Sequence, residues 1–361
     1  DMDFYTLTMT CCQIDLVKLL KDGFSTGHGH LREPNDIESY AALACIAIQS
    51  NQNDQHGGQS VPNFDYGMAP GVKKAYKRLY VTNLGKMLDF LEDIEDGVER
   101  MKALEGKIEH EYGVYPCMAW DNNYMELELE ELKKIVPEEE AHKMQARSKK
   151  FADKEIRRKT YQAMEAFIHN LNTMHSRAGA QVPFSSINYG TDTSAEGRCI
   201  IRELLKSTYQ GVGNGETAIF PIQIWKKKRG VSYLPEDRNY DLYQLACKVT
   251  ARRFFPNFLN LDATFNQSED WKADDPKRYQ HEVATMGCRT RVFENRFGPK
   301  TSIGRGNISF STINIVRLGI ECMNIEDKEQ RIARFFAKLD SMLEVTARQL
   351  HERMEFQKTA F

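Results

Sequence analysis

Apolar positions recur at intervals of three and four over long tracts of this chain and crowd into short uninterrupted runs elsewhere. Residues 37–50, rich in alanine and apolar at helical spacing, predict a buried helix. A polar glycine loop over 54–60 follows, then a second helical segment to about Tyr80. Residues 83–178 are helical in pattern, with Leu84, Met87, Leu88, Leu91, Ile94 and Val98 repeating at three and four. Charged helices with apolar stripes are expected at 126–135 and 149–171, and their acidic runs read as solvated faces. This helical stretch reads as a large insert whose stripes suit a dimer surface. The short runs predict strands: a β-prone opening over 4–12, then 182–189, 217–225, 257–261 and 308–315. Helices over about 194–207, 242–255 and 328–357 lie between and after them. Strands alternating with helices indicate βαβ units and a parallel sheet, so the fold class is α/β.

Composition narrows the partners. Lys+Arg at 49 against Asp+Glu at 51 leave no electrostatic footprint for nucleic acid or an anionic membrane surface. No apolar run approaches the ~20 residues of a membrane span. The opening, Asp1-Met2-Asp3-Phe4-Tyr5, is neither a signal peptide nor a basic targeting segment. It does not begin with methionine, so the chain is expected to be part of something longer. Eight cysteines in 361 residues are too dilute for a disulfide scaffold, and no CxxC occurs. A reducing cytoplasm is the natural setting. His28-Gly29-His30 lacks a third ligand at useful spacing, so no metal site is expected in this chain.

Three polar clusters fall in glycine loops or at the ends of predicted strands, where α/β folds place function. The first is Cys11-Cys12-Gln13. The second is Asn172-Thr173-Met174-His175 with Gln181, followed by the Ser185-Ser186 pair. The third is Thr285-Met286-Gly287-Cys288-Arg289-Thr290, followed by Asn307. Glycine before cysteine allows a tight turn with the sulfur at its tip. Two thiols far apart in sequence point to redox or radical chemistry in a dry cavity, and Asn307 is placed to grip a substrate hydroxyl. The plain alternative is structural: one buried and one packing thiol at Cys11-Cys12, and a core histidine at His175. No GxxxxGK[ST], GxGxxG or GxSxG occurs, which argues against a phosphate loop and against serine hydrolase chemistry.

Taken in order, the motifs carry a resemblance. They are the opening Asp1-Met2-Asp3-Phe4-Tyr5, then Cys11-Cys12-Gln13-Ile14-Asp15-Leu16, Gly57-Gly58-Gln59-Ser60, residues 172–184 and 190–198, TAIFP at 217–221, MGCR at 286–289, and Asn307 before INIVR. With them the chain resembles the catalytic subunit of anaerobic (class III) ribonucleoside-triphosphate reductase over nearly its whole length. The resemblance implies a ten-stranded α/β barrel of two antiparallel halves, each of five parallel strands, with a finger loop at about 284–307. It implies that Cys288 becomes a thiyl radical that abstracts the ribose 3′ hydrogen, and that Cys11 then donates hydrogen. The register to Ile14-Asp15-Leu16 selects Cys11 over Cys12. Asn307 is expected to bind substrate hydroxyls or formate, and Met286 beside the radical cysteine fits formate as reductant. His175, Gln181, Ser185 and Gly287 are the expected substrate contacts.

Further implications concern what lies outside these residues. They are a glycyl radical on a C-terminal segment, an S-adenosylmethionine/iron–sulfur activating enzyme that generates it, a C-terminal zinc site and an N-terminal ATP cone. On that expectation the chain is a partial catalytic barrel that does not turn over alone. A cytoplasmic homodimer with ribonucleoside triphosphate substrates and (d)NTP effectors is implied. The alternatives are another glycyl radical enzyme of the formate-lyase type, or a non-catalytic nucleotide-binding or assembly module built on 83–178.

Overall fold

A computed structural model describes residues 10–55, 57–91, 94–175, 181–287, 290–295 and 298–360. Five parallel strands organise it: β1 (Cys12–Gln13), β4 (Gln59–Val61), β5 (Ser185–Tyr189), β6 (Ile222–Lys227) and β7 (Asn257–Asn260), adjacent in that order. Parallel neighbours need crossovers, and helices supply them. These are α1 (Leu16–Asp22) and α2 (Ile37–Asp54) before β4, with the small hairpin β2 (Phe24–Ser25) and β3 (His30–Leu31) between them. Then come α3 (Phe64–Leu91), α4 (Gly97–Tyr112), α5 (Tyr124–Leu132) and α6 (Glu138–Thr173) before β5, α7 (Ala195–Gln210) before β6, and α8 (Tyr240–Arg253) before β7. The expected alternation and parallel sheet are therefore present. Asp15, Asp36 and Ser194 start α1, α2 and α7 by accepting the N–H of Lys18, Ser39 and Gly197.

The sheet has two unlike faces. Ile187, Tyr189 and Trp225 join the main apolar core with the buried stripes of α2, α3, α6, α7 and α8. Strand residues alternate faces. Gln13, Ser60, Ser186, Asn188 and Lys226 therefore occupy the other face, all of them buried. A polar, buried inner face cannot be explained by core packing; it has to be met by hydrogen bonds. Part of the covering is β8 (Ala284–Met286), which forms an antiparallel hairpin with β9 (Thr290–Val292).

Three expectations are corrected. The helix expected to stop near Tyr80 continues unbroken as α3 to Leu91, and Val98 belongs to α4. The two helices touch backbone to backbone: a Cβ on Gly85 would stand 2.4 Å from the Val98 Cα. The apolar periodicity runs through because both helices bury the same side. The strand expected at 217–225 begins only at Ile222, because Asn172 satisfies the backbone before it. Its Oδ1 accepts the N–H groups of Ile219 and Phe220, each at 3.0 Å. The strand expected at 308–315 carries no ladder pairing among the described residues. It lies along α10 (Lys328–Ala360), where Arg353 donates to Ser309 Oγ and the Phe310 carbonyl at 3.0 and 3.2 Å; the short helix α9 (Ile315–Ile320) begins at its end. A β-prone sequence becomes a strand only beside a partner edge. Of the β-prone opening, residues 4–9 lie outside the described residues. Among the described residues no helix is long and apolar enough to cross a membrane.

Candidate active site

Three chain segments converge on Cys11, two of them on its sulfur. The Gly58 N–H donates to Cys11 Sγ at 3.1 Å. Gly57 holds φ +82°, and a Cβ there would lie 1.8 Å from the Thr10 carbonyl, so the loop needs glycine. Gly287, at the end of β8, comes so close that a Cβ on it would stand 3.2 Å from Cys11 Sγ. A Cβ on Gly58 would meet the Gly287 Cα at 2.2 Å. The end of β8, at Gly287, is thus seated on the thiol. Cys288, next in sequence, and Arg289 lie outside the described residues.

The third segment is 304–307, which runs antiparallel beside β1 with Gly306 opposite Cys12. The Asn307 N–H donates to the Cys11 carbonyl at 2.9 Å, and the Gln13 N–H donates to the Arg305 carbonyl at 2.7 Å. This register sets Asn307 opposite Cys11 and Arg305 opposite Gln13, on the face of the Cys11 thiol.

Strand alternation sends Cys12 to the helix side. There its sulfur accepts from Asn51 Nδ2 at 2.9 Å and Gln55 Nε2 at 2.8 Å. Burial pushes its thiol pKa up. The two adjacent cysteines are therefore chemically unlike, one tied into helix packing and one facing the hairpin. Among the described residues no histidine or lysine hydrogen-bonds the Cys11 sulfur, and that is the partner a nucleophilic thiolate uses.

The hairpin is docked by the inner face of the sheet. Asn188, on β5, reads the Thr285 backbone with both ends of its carboxamide: Oδ1 accepts the N–H at 3.0 Å and Nδ2 donates to the carbonyl at 2.9 Å. Ser60 Oγ donates to the same carbonyl at 2.9 Å. Asn188→Ala leaves a buried N–H without a partner, which costs roughly 1–3 kcal/mol. We expect that loss in denaturant unfolding, together with faster proteolysis within 284–292; unchanged cleavage there would contradict the docking role.

A buried ion pair secures the approach to β8. Lys226 Nζ stands 3.0 Å from Glu282 Oε2 and donates to Asn63 Oδ1 at 2.7 Å, with the two charged side chains at most 1% exposed. Glu282 also accepts from Thr191 Oγ1 at 2.8 Å. Alongside, Asp65 Oδ2 collects the backbone N–H groups of Gly190, Thr191 and Asp192. Burial, and then the Asp65 charge, push the Asp192 carboxyl up to about 7. Its pKa in the unfolded chain is about 3.9. The native state therefore keeps this proton longer than the unfolded state does, and the stability linked to it is lost as pH rises from about 4 to 7. Asp192→Asn mimics the neutral form. Its stability relative to the parent is expected to grow between pH 5 and pH 8, by on the order of 1–3 kcal/mol. A gain that shrinks over this range in pH-dependent melts would refute the assignment.

The expected site residues are thus distributed unevenly. Cys11, Gly287 and Asn307 come together, and Met286 is fully buried on β8 of the same hairpin. His175, just past the end of α6, and Gln181 are exposed, on either side of residues 176–180, which lie outside the described set. Ser185 shares its row with Gln59 and Cys12 on the helix side, whereas its neighbour Ser186 faces inward beside Ser60. Asn188, Ser60, Lys226 and Glu282 were not singled out from sequence. Lys226, directly after Ile222-Gln223-Ile224-Trp225, looks in the sequence like the first of a basic surface run, so nothing there marked it as buried.

A family model described as anaerobic ribonucleoside-triphosphate reductase matches residues 1–361. The chain is 24% identical over 359 residues to the anaerobic ribonucleoside-triphosphate reductase of Escherichia coli (strain K12), covering 98% of this chain and 40% of that protein. It is 25% identical over 331 residues to the protein of that name from Enterobacteria phage T4, covering 90% of this chain and 44% of the relative. The Salmonella typhimurium (strain LT2) protein of the same name gives 25% over 359 residues, with 98% and 40% covered. The chain therefore spans about two fifths of the length of the curated relatives it matches. Matched from end to end by the family model, the chain belongs to the anaerobic ribonucleoside-triphosphate reductase family.

Proposed function

We propose that this chain supplies the thiol-bearing half of a catalytic barrel that reduces ribonucleoside triphosphates to deoxyribonucleoside triphosphates under anaerobic conditions. One observation carries the reading: Gly287, immediately before Cys288, is seated on the Cys11 sulfur, with Asn307 opposite. Five parallel strands with a docked hairpin are what one half of a ten-stranded barrel requires, and the 284–307 segment is its finger loop. A glycyl radical, made by an S-adenosylmethionine-dependent activating enzyme, supplies the initiating hydrogen-atom abstraction in this reading.

Cys288 then takes the ribose 3′ hydrogen atom, and Cys11 returns a hydrogen to the 2′ carbon as that hydroxyl leaves as water. Formate is the reductant; the sum is ribonucleotide, formate and a proton to deoxyribonucleotide, carbon dioxide and water. Asn307 grips a substrate hydroxyl, and buried Met286 shields the loop from water. Gly287 gives the substrate close access to the sulfur, and His175 and Gln181 frame the approach. Ser185 is on the helix side, so Ser186 takes its place as the inward-facing hydroxyl. A Cys11 thiol at the hairpin favours reductase over formate-lyase chemistry, which has no use for a hydrogen donor on the first strand. The helical layer α3–α6 serves as the homodimer surface, nucleotides act as effectors, and the enzyme works in the cytoplasm.

The test is Cys288→Ala in the complete gene product, activated anaerobically and supplied with formate. Nucleotide reduction is expected to vanish while the circular dichroism spectrum and melting midpoint stay as in the parent. Surviving turnover would sink the proposal.

A further inference from the structure

Two buried groups next to the Cys11–Asn307 pair have hydrogen-bonding capacity that the protein leaves unused. Gln13 is 2% exposed, yet neither its Nε2 nor its Oε1 has a partner. Opposite it, Arg305 donates Nη2 to the Glu294 carbonyl at 3.0 Å, while its buried Nη1 bonds nothing. Each such group costs roughly 1–3 kcal/mol if left unpaired. A buried amide and a buried guanidinium edge that are both unpaired are what a ligand site looks like before the ligand arrives.

The backbone sets both in place. The Gln13 N–H donates to the Arg305 carbonyl at 2.7 Å, and the Gly304 N–H donates to the Gln13 carbonyl at 3.1 Å. Side chains at directly opposed positions start roughly 5 Å apart at Cβ. Gln13 lies two residues from Cys11 on the same face, roughly 7 Å along the strand. The chemistry of the pair is specific. A guanidinium N–H and a carboxamide N–H on opposed positions of one face offer two donors, the complement of the two oxygens of a carboxylate. A triphosphate would need more cationic partners than one arginine and more room than a side chain 2% exposed allows. The Gln13 Oε1 remains to accept a hydroxyl from a neighbouring molecule.

We infer that Gln13 and Arg305 form a small-carboxylate subsite adjoining Cys11. On the functional reading above, upon which this inference rests, its occupant is formate. With both oxygens engaged by the two residues, the C–H end of the ion is the end left free to face the Cys11 sulfur.

The experiment uses the complete gene product with sodium formate as probe, and sodium chloride at equal ionic strength as control. Formate is expected to raise the melting midpoint of the parent but not of Gln13→Met or Arg305→Met. In steady-state assays the formate KM of both variants should rise at least tenfold, with the nucleotide KM within twofold of the parent. Gln13→Met should by itself leave the midpoint unchanged or higher, because the amide bonds nothing in the resting protein. Gln13→Glu, which places like charge against the anion, should abolish formate protection. Formate protection that survives in Gln13→Met and Arg305→Met overturns the subsite, as does a change in nucleotide KM alone. A lowered midpoint with intact formate binding also overturns it, since Gln13 is then structural. Formate binding through these residues in a protein that reduces no nucleotide leaves the subsite standing and removes the functional reading instead.

Discussion

Cys11→Ser in the complete gene product is expected to lower nucleotide reduction by at least about a thousandfold, a barrier increase of roughly 4 kcal/mol. Serine is nearly isosteric, and the Gly58 N–H that bonds the sulfur at 3.1 Å can bond an oxygen as well. The fold should therefore hold. On the proposed role of Cys11 the lost quantity is chemical: an O–H bond is far harder to break homolytically than S–H, so serine could not serve as the hydrogen donor while filling the same place. Cys12→Ser is the control, one residue away. Its sulfur accepts from Asn51 and Gln55 in the helix layer, so the change should be felt in stability more than in turnover. Equal loss of turnover from both variants would mean that the face of the strand does not decide the chemistry. The readout is anaerobic product formation together with melting midpoints.

Gly58→Ala is expected to be nearly as damaging, for a purely steric reason. The added methyl would sit 2.2 Å from the Gly287 Cα and 2.7 Å from its nitrogen. Both are backbone atoms, which cannot swing aside as a side-chain end can. Either the 57–58 loop or the hairpin must move by about 1 Å, and overpacking of this kind costs roughly 1–3 kcal/mol. The hairpin is the weaker party, held by Ser60, Asn188 and the Glu282 approach, whereas β4 is paired on both sides. A shift of 1 Å at a reacting group can cost on the order of a hundredfold in rate. We therefore expect at least that loss of turnover with only a modest fall in midpoint. Parent-like activity in Gly58→Ala would show that the hairpin does not need this close approach.

Much of the architecture was legible because helices and buried parallel strands leave unlike periodicities. The α2 stripe and the apolar runs around Ile187 and Ile224 could hardly have been read otherwise. Misreadings occurred where two elements share one burial direction, as across α3 and α4, or where a strand-like run has no partner edge, as at 308–314. Gly287 and Asn307 stood out because glycine–cysteine and glycine–asparagine junctions are unusual loop chemistry, whereas Cys11 was picked out by the family resemblance and its register to Ile14-Asp15-Leu16. The residues that hold them, Asn188 and Ser60, look like ordinary strand residues until their hydrogen bonds are seen.

By itself, then, the sequence determined the alternation of strands and helices, the parallel crossovers, the helices beginning near residues 37 and 194, and the candidate thiols, because these depend on local periodicity and composition. Tertiary structure alone decided which of two adjacent cysteines faces the hairpin, and that Ser186 rather than Ser185 looks inward. It alone set Arg305 opposite an unpaired Gln13. The reason is the period of two in a strand: the pattern is visible along the chain, but its phase is set only by the neighbours that the sheet and the 304–307 segment bring alongside.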